Sequence, residues 1–238
     1  MASIHANGHG VRHAVARAVA TANLEPSEAV FRVKRARVEL DREGRVARAE
    51  VSIDIEAARP LAEWSPAERS GLVNPDGAHP LMVWLPGDPA AGVAPFFMDI
   101  LAVSWSRWLK RNEGTLPPGI DLFCPVTVLD HAAALAFAED QGKQLPSLGQ
   151  WRAAWGAAEL PWGEVADPSC GRVGRPRYDE LPEGGLHPPG PGGLFDLGAW
   201  LWQWLDDGRL VGGGAASQWP LAATPRPWPV GVRLVSPA

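Results

Sequence analysis

Glycine and proline limit this chain more than any other feature. There are 26 and 24 of them in 238 residues, about a fifth of the sequence where ordinary usage is roughly 12%. Glycine weakens helix interiors and proline breaks them, which favours a loop-rich fold over a helix bundle. The apolar fraction of 46% still supplies a core, and 25.5 kDa fits one large domain or a compact domain with a smaller extension. Twelve tryptophans stand against one tyrosine and six phenylalanines. Indole rings must therefore fill space that other aromatics usually share.

Charge excludes some partners. A net charge of -5 gives no basic field for nucleic acid. Residues 1–78 hold 11 Lys/Arg and 11 Asp/Glu, which places the acidic excess downstream. No apolar run approaches the roughly 20 residues of a membrane helix, and the opening MASIHANGHG lacks the apolar core of a secretory signal. The expectation is a cytoplasmic protein with no nucleic-acid or membrane partner. Cys124 and Cys170 are the only thiols. They are too few for a disulfide framework, and their spacing leaves a single bridge open, with buried reduced thiols as the ordinary expectation.

Along the chain, Val11, Val15, Ala18 and Val19 share one helical face. Two alternating runs then flank Asp41-Arg42-Glu43-Gly44 and read as a β-hairpin. Ser65-Pro66, Asn74-Pro75 and Asp76-Gly77 mark a connection, dividing an N-terminal helix-plus-hairpin extension, 1–78, from a second region, 79–238. That region opens with the strand-like LMVWLPGDP. A short helix follows over Val103, Trp105, Trp108 and Leu109. Asp130 caps a helix over HAAALAFAEDQGK, with Ala134, Leu135 and Ala138 on one face and Gly142 as its stop. Ser147 starts another, in which Trp151 and Trp155 form one stripe. After Gly156 the pattern is loop, turn and short strand, with Gly231–Val235 as a terminal core strand.

Several stretches then occur in a telling order: Cys124-Pro125-Val126, the alanine-rich helix, Leu145-Pro146-Ser147 leading to Trp151, and Leu160-Pro161-Trp162-Gly163. They continue with GLFDLGAWLWQW over 193–204, Val211-Gly212-Gly213-Gly214, and Gly231-Val232-Arg233. In this order they resemble the formylglycine-generating, sulfatase-modifying family over residues 79–238. The resemblance implies an α+β, C-type-lectin-like fold.

Departures from the family carry the functional reading. Its cysteine-oxidising members hold copper with a C-terminal cysteine pair, and residues 205–238 here contain no cysteine. Its calcium-associated segment supplies Asn and Glu where this chain has Trp200 and Gln203, although Asp196 is kept. The expected cofactor is therefore none, calcium being possible only at altered positions. A related branch does iron-dependent sulfur chemistry with histidine ligands. His5, His9 and His13 would align on one helix, but Gly8 and Gly10 disfavour that helix, so a flexible or surface-exposed N-terminus without metal is expected.

No catalytic group emerges. Asp206-Asp207-Gly208 reads as a turn, Ser217 has no histidine downstream to activate it, and Gly212-Gly213-Gly214 lacks the Lys-Ser/Thr of a phosphate loop and reads as close backbone packing. By the resemblance, Trp202 and Trp204 match structural aromatics and read as core. Trp200, Gln218, Trp219, Arg226 and Trp228 are left as candidate ligand- or partner-binding residues, four of them in a small-residue stretch that Pro220, Pro225, Pro227 and Pro229 stiffen. The resemblance extends to variable proteins of diversity-generating retroelements, which use this scaffold as a receptor. The expected function is a non-catalytic recognition module for a protein or small ligand, with residues 1–78 as an accessory docking element. The alternative is a metal-dependent oxidoreductase of the formylglycine-generating or iron-dependent type.

Overall fold

The computed structural model describes residues 2–8, 10–21, 29–42, 46–57, 73–74, 82–127, 130–164, 167, 181–190, 192–199, 201–213 and 229–238. The fold is α+β. A seven-stranded antiparallel sheet has the order β1-β3-β2-β4-β5-β6-β10, from β1 (Ala2–Gly8), β2 (Ala29–Leu40), β3 (Val46–Ala57), β4 (Val73–Asn74), β5 (Met82–Leu85), β6 (Phe96–Asp99) and β10 (Val235–Pro237). A second sheet, β8-β7-β9, joins β7 (Trp202–Trp204), β8 (Leu210–Gly212) and β9 (Val230–Gly231). The helices are α1 (Val11–Thr21), α2 (Trp105–Leu109), α3 (His131–Asp140) and α4 (Leu148–Trp155). Among the described residues no helix is long and apolar enough to cross a membrane.

The β2–β3 hairpin forms because its two runs alternate. Val38, Ala49, Val51 and Ile53 are buried, whereas Arg35, Arg37, Glu39 and Glu50 are exposed. The helix α1 covers that apolar face with Val11, Ala14, Val15 and Ala18. The N-terminal segment, expected to be flexible or surface-exposed, forms the edge strand β1, paired with β3 from Ala2↔Ile55 to Gly8↔Ala49. Its residues, Ala-Ser-Ile-His-Ala-Asn-Gly, include one β-branched side chain, so local propensity carried no strand signal. His5 thus lies in a strand and His13 in a helix, and they share no helical face. His9 lies outside the described residues.

The large sheet continues across residue 78. β4 pairs with β2 at Phe31↔Val73 and with β5 at Val73↔Val83. Val38, Val51 and Ile53 share one apolar cluster with Val83, Met98, Trp151 and Val235. A second cluster gathers Phe137, Trp202, Trp204, Val232 and Leu234, which places Trp202 and Trp204 in the core as expected.

Helix starts follow the capping residues. The Asp130 side chain accepts from Ala133 N, and Ser147 and Gln150 exchange bonds in a capping box. On α3 the buried residues are Ala134, Phe137 and Ala138, while Leu135 is exposed and not on the core face. The expected terminal strand is also corrected. Val230–Gly231 joins the small sheet and Val235–Pro237 the large one, with residues 232–234 crossing between them. Those three are fully buried. Backbone groups of these residues bond outside the small sheet: Val232 O accepts from Val103 N, Leu234 O from Asp99 N, and Leu234 N donates to the Asp99 carboxylate.

Candidate functional site

The candidate residues Trp200, Gln218, Trp219, Arg226 and Trp228 lie outside the described residues, as do Cys170 and Ser217. What the structure places is the frame that carries them. β8 pairs antiparallel with β7, and β9 pairs parallel with it on the other side. One residue, Trp202, faces both Gly212 and Val230. The chain therefore leaves the small sheet on one edge of β7 and rejoins it on the other, about two strand spacings or 10 Å away. The departure is tight: Gly213 has φ 80°, and a Cβ there would fall inside the Trp202 indole. Close backbone packing explains the glycines at 212 and 213.

Beneath this sheet lies a buried polar network. Arg233 is fully buried; its NH1 donates to Asp99 O at 2.8 Å, its NH2 to Phe195 O at 2.7 Å, and its Nε to Gln203 Oε1 at a long 3.4 Å. Burial pushes the guanidinium down to about 10, opposed by the charges of Asp196 and Asp99. It remains protonated at neutral pH. Asp99, 1% exposed, is itself held by Arg107 at 2.7 Å and Lys143 at 2.9 Å. A buried carboxylate is tolerable only with such partners.

Gln203 also borders a cleft. Its walls are mostly apolar, with Ala102, Leu181, Pro182, Ala199 and Leu201, and Asp196 and Glu183 add carboxylates. Ala199 and Leu201 are the chain neighbours of Trp200. The loop carrying Leu181 and Glu183 is tied to α1, since Val11 N donates to Leu186 O at 3.2 Å and His13 Nε2 lies 3.4 Å from Glu183. Asp196 holds φ 53°, the only non-glycine positive φ among the described residues, and its Oδ2 accepts from Gly185 N. Asp tolerates this left-handed conformation better than most residues. The sequence reading missed the cleft. Its only signals were the turn chemistry of Glu183-Gly184-Gly185 and the Asp196 match, and neither says that these segments meet.

Gln203 does not suit a calcium ion. The Gln203 oxygen already accepts from Arg233, and the buried guanidinium would repel a dication. Among the described residues no group of three or more His, Cys, Asp or Glu is placed to hold a metal ion. Asp206 and Asp207 form the expected turn, where Leu205 N donates to Arg209 O at 2.9 Å. The Arg209 side chain binds the Asp207 carboxylate and holds its pKa below the usual range.

No protein-family model matches the chain, and no curated protein matches it. Among solved structures it is similar to PvdO from Pseudomonas aeruginosa, with a TM-score of 0.45 and 13% identity, over 91% of this chain and 97% of that one. That likeness is too distant to bear on function.

Proposed function

We propose that this chain is a non-catalytic recognition module on a C-type-lectin-like scaffold of the formylglycine-generating kind, which presents residues 214–228, with Trp200, to a protein or small ligand. The observation that carries the reading is the frame around that segment. Both of its ends are fixed on β7, at Gly212 and Val230, over a core of Trp202, Trp204 and Arg233. A connection held on a rigid sheet is the usual place for binding residues. The order of family motifs supports the scaffold. The missing cysteine pair supports binding over oxidation.

Tryptophan labelled with 5-fluoro-indole tests this directly. Trp219→Phe and Trp228→Phe assign two of the 19F resonances, and a solvent isotope shift reports exposure of each ring. Exposed rings are expected, and Trp219→Ala and Trp228→Ala should then weaken partner binding by about 2 kcal/mol with stability little changed. Both rings buried, or stoichiometric copper or iron in the purified protein, would overturn the reading.

A further inference from the structure

The large sheet ends differently on its two sides. At β10, Gln144 exchanges both backbone hydrogen bonds with Val235, at 2.9 and 2.8 Å, and Pro237 has no N–H to offer. That edge is closed by the chain itself. At the other side β1 pairs with β3 along all seven residues without a register shift, and among the described residues no strand or bridge pairs its outer side. Open edges in folded proteins are guarded by charge, proline, a bulge or a cover. Ala2–Gly8 holds no Lys, Arg, Asp or Glu, no proline and no bulge. Near its end Asn7 O accepts from the exposed Arg17 side chain at 2.9 Å, and a carbonyl can accept a second bond.

We propose that the outer edge of β1 is an interface for a second copy of this chain, the two β1 strands pairing antiparallel about a two-fold axis at His5 and joining both molecules in one sheet. Two features choose a second copy over a foreign strand. A two-fold contact sets the strand against itself, Ala2 opposite Gly8, Ser3 opposite Asn7, Ile4 opposite Ala6 and His5 opposite His5. Like charges facing each other would repel, and β1 lacks the Arg35, Arg37, Glu50 and Asp54 that its neighbours β2 and β3 carry. The second feature is α1, which lies against β1 and β3. The two-fold of an antiparallel pair is perpendicular to the sheet, so both copies of α1 fall on one side of it, about two strand spacings or 10 Å apart. Helices pack at that distance, and a lone strand brings no such contact. Pairing uses the open edge of both copies and β10 is closed, so assembly stops at two. This interface stands independently of residues 214–228.

Sedimentation of the full chain, free of any N-terminal tag, should show monomer and dimer in concentration-dependent exchange and nothing larger. Amide hydrogen exchange on dilute and concentrated samples locates the contact. Backbone groups alternate between the inner and outer sides of a strand, so every second amide of 2–8 should slow about tenfold on concentration while those of 46–57 keep their rates. His5→Lys and His5→Glu each set like charges opposite one another at the axis. Each variant alone should stay monomeric, and an equal mixture of the two should form the dimer again. A chain that stays monomeric at millimolar concentration overturns the proposal and leaves the edge to a strand of another protein. A dimer whose β1 amides exchange as fast as the monomer's overturns it too, since the contact is then elsewhere. Dimers of both charged variants as firm as the original exclude the axis at His5. The exchange comparison uses the unsubstituted chain and decides the matter even where a His5 variant fails to fold.

Discussion

The two sheets are held together by different means. β2 and β3 run for 12 residues each and pair along most of that length, so their register rests on a long backbone ladder and one alternating apolar face. β7, β8 and β9 have 3, 3 and 2 residues. Strands that short cannot stand on ladder bonds alone. Side chains supply what the ladder lacks: Trp202 and Trp204 fill the core below, and Arg233 bonds Gln203 of β7 to carbonyls beyond the sheet. The small sheet is thus a product of its surroundings, while the hairpin is written in its own strands.

Trp151 sits where the two regions meet. It is fully buried in the cluster under the large sheet, and Gly212 of β8 approaches its ring. Trp151→Ala should cost about 3–5 kcal/mol by opening a cavity, read as a lower denaturation midpoint with cooperative loss of both sheets. An unchanged midpoint would mean that α4 does not pack as described.

Arg233→Met sharpens the contrast. It leaves Asp99 O, Phe195 O and Gln203 Oε1 without their donor, at about 3 kcal/mol in total after relaxation. Hydrogen exchange should show amides of 202–204 and 230–231 losing protection while those of 46–57 keep theirs. Equal loss in both sheets would erase the distinction drawn between them.

The smallest effect concerns the turn between β7 and β8. Because Arg209 lowers the Asp207 pKa below its ordinary 3.8, this pair adds stability above that value, and the contribution fades as pH falls through the lower folded-state value. The Asp207 side chain is 40% exposed, so solvent screens the pair and the change is smaller than for either substitution above. Asp207→Asn should flatten the acid limb of the stability profile slightly below about pH 4, and an identical profile would show that the turn contributes nothing through its charge.

The same contrast decides what could be read in advance. The hairpin, α1, α3 and α4 were legible because alternation, helical spacing and the caps at Asp130 and Ser147 are local signals. The strand β1 was not, since its partner β3 lies more than forty residues away and its own composition is neutral. The split of the terminal strand was equally hidden. It follows from the Asp99 carboxylate taking the Leu234 N–H, a contact between residues that are 135 apart. Trp202 and Trp204 were expected in the core from the resemblance alone, and both are buried there. The cleft depends on the loop at 181–184 meeting Asp196 and Gln203, and no pattern within either segment announces that meeting.

The clamp on Trp202 also bears on how this chain tolerates change. The anchors at Gly212 and Val230 stand on either side of a single residue, so the span between them is set by the sheet and is the same whatever joins it. Loop-closure entropy grows only with the logarithm of length, about 0.6 kcal/mol for each doubling. Insertions and deletions between 213 and 229 therefore tax the scaffold little, and a lineage is free to rewrite that connection while the glycine against the indole stays put.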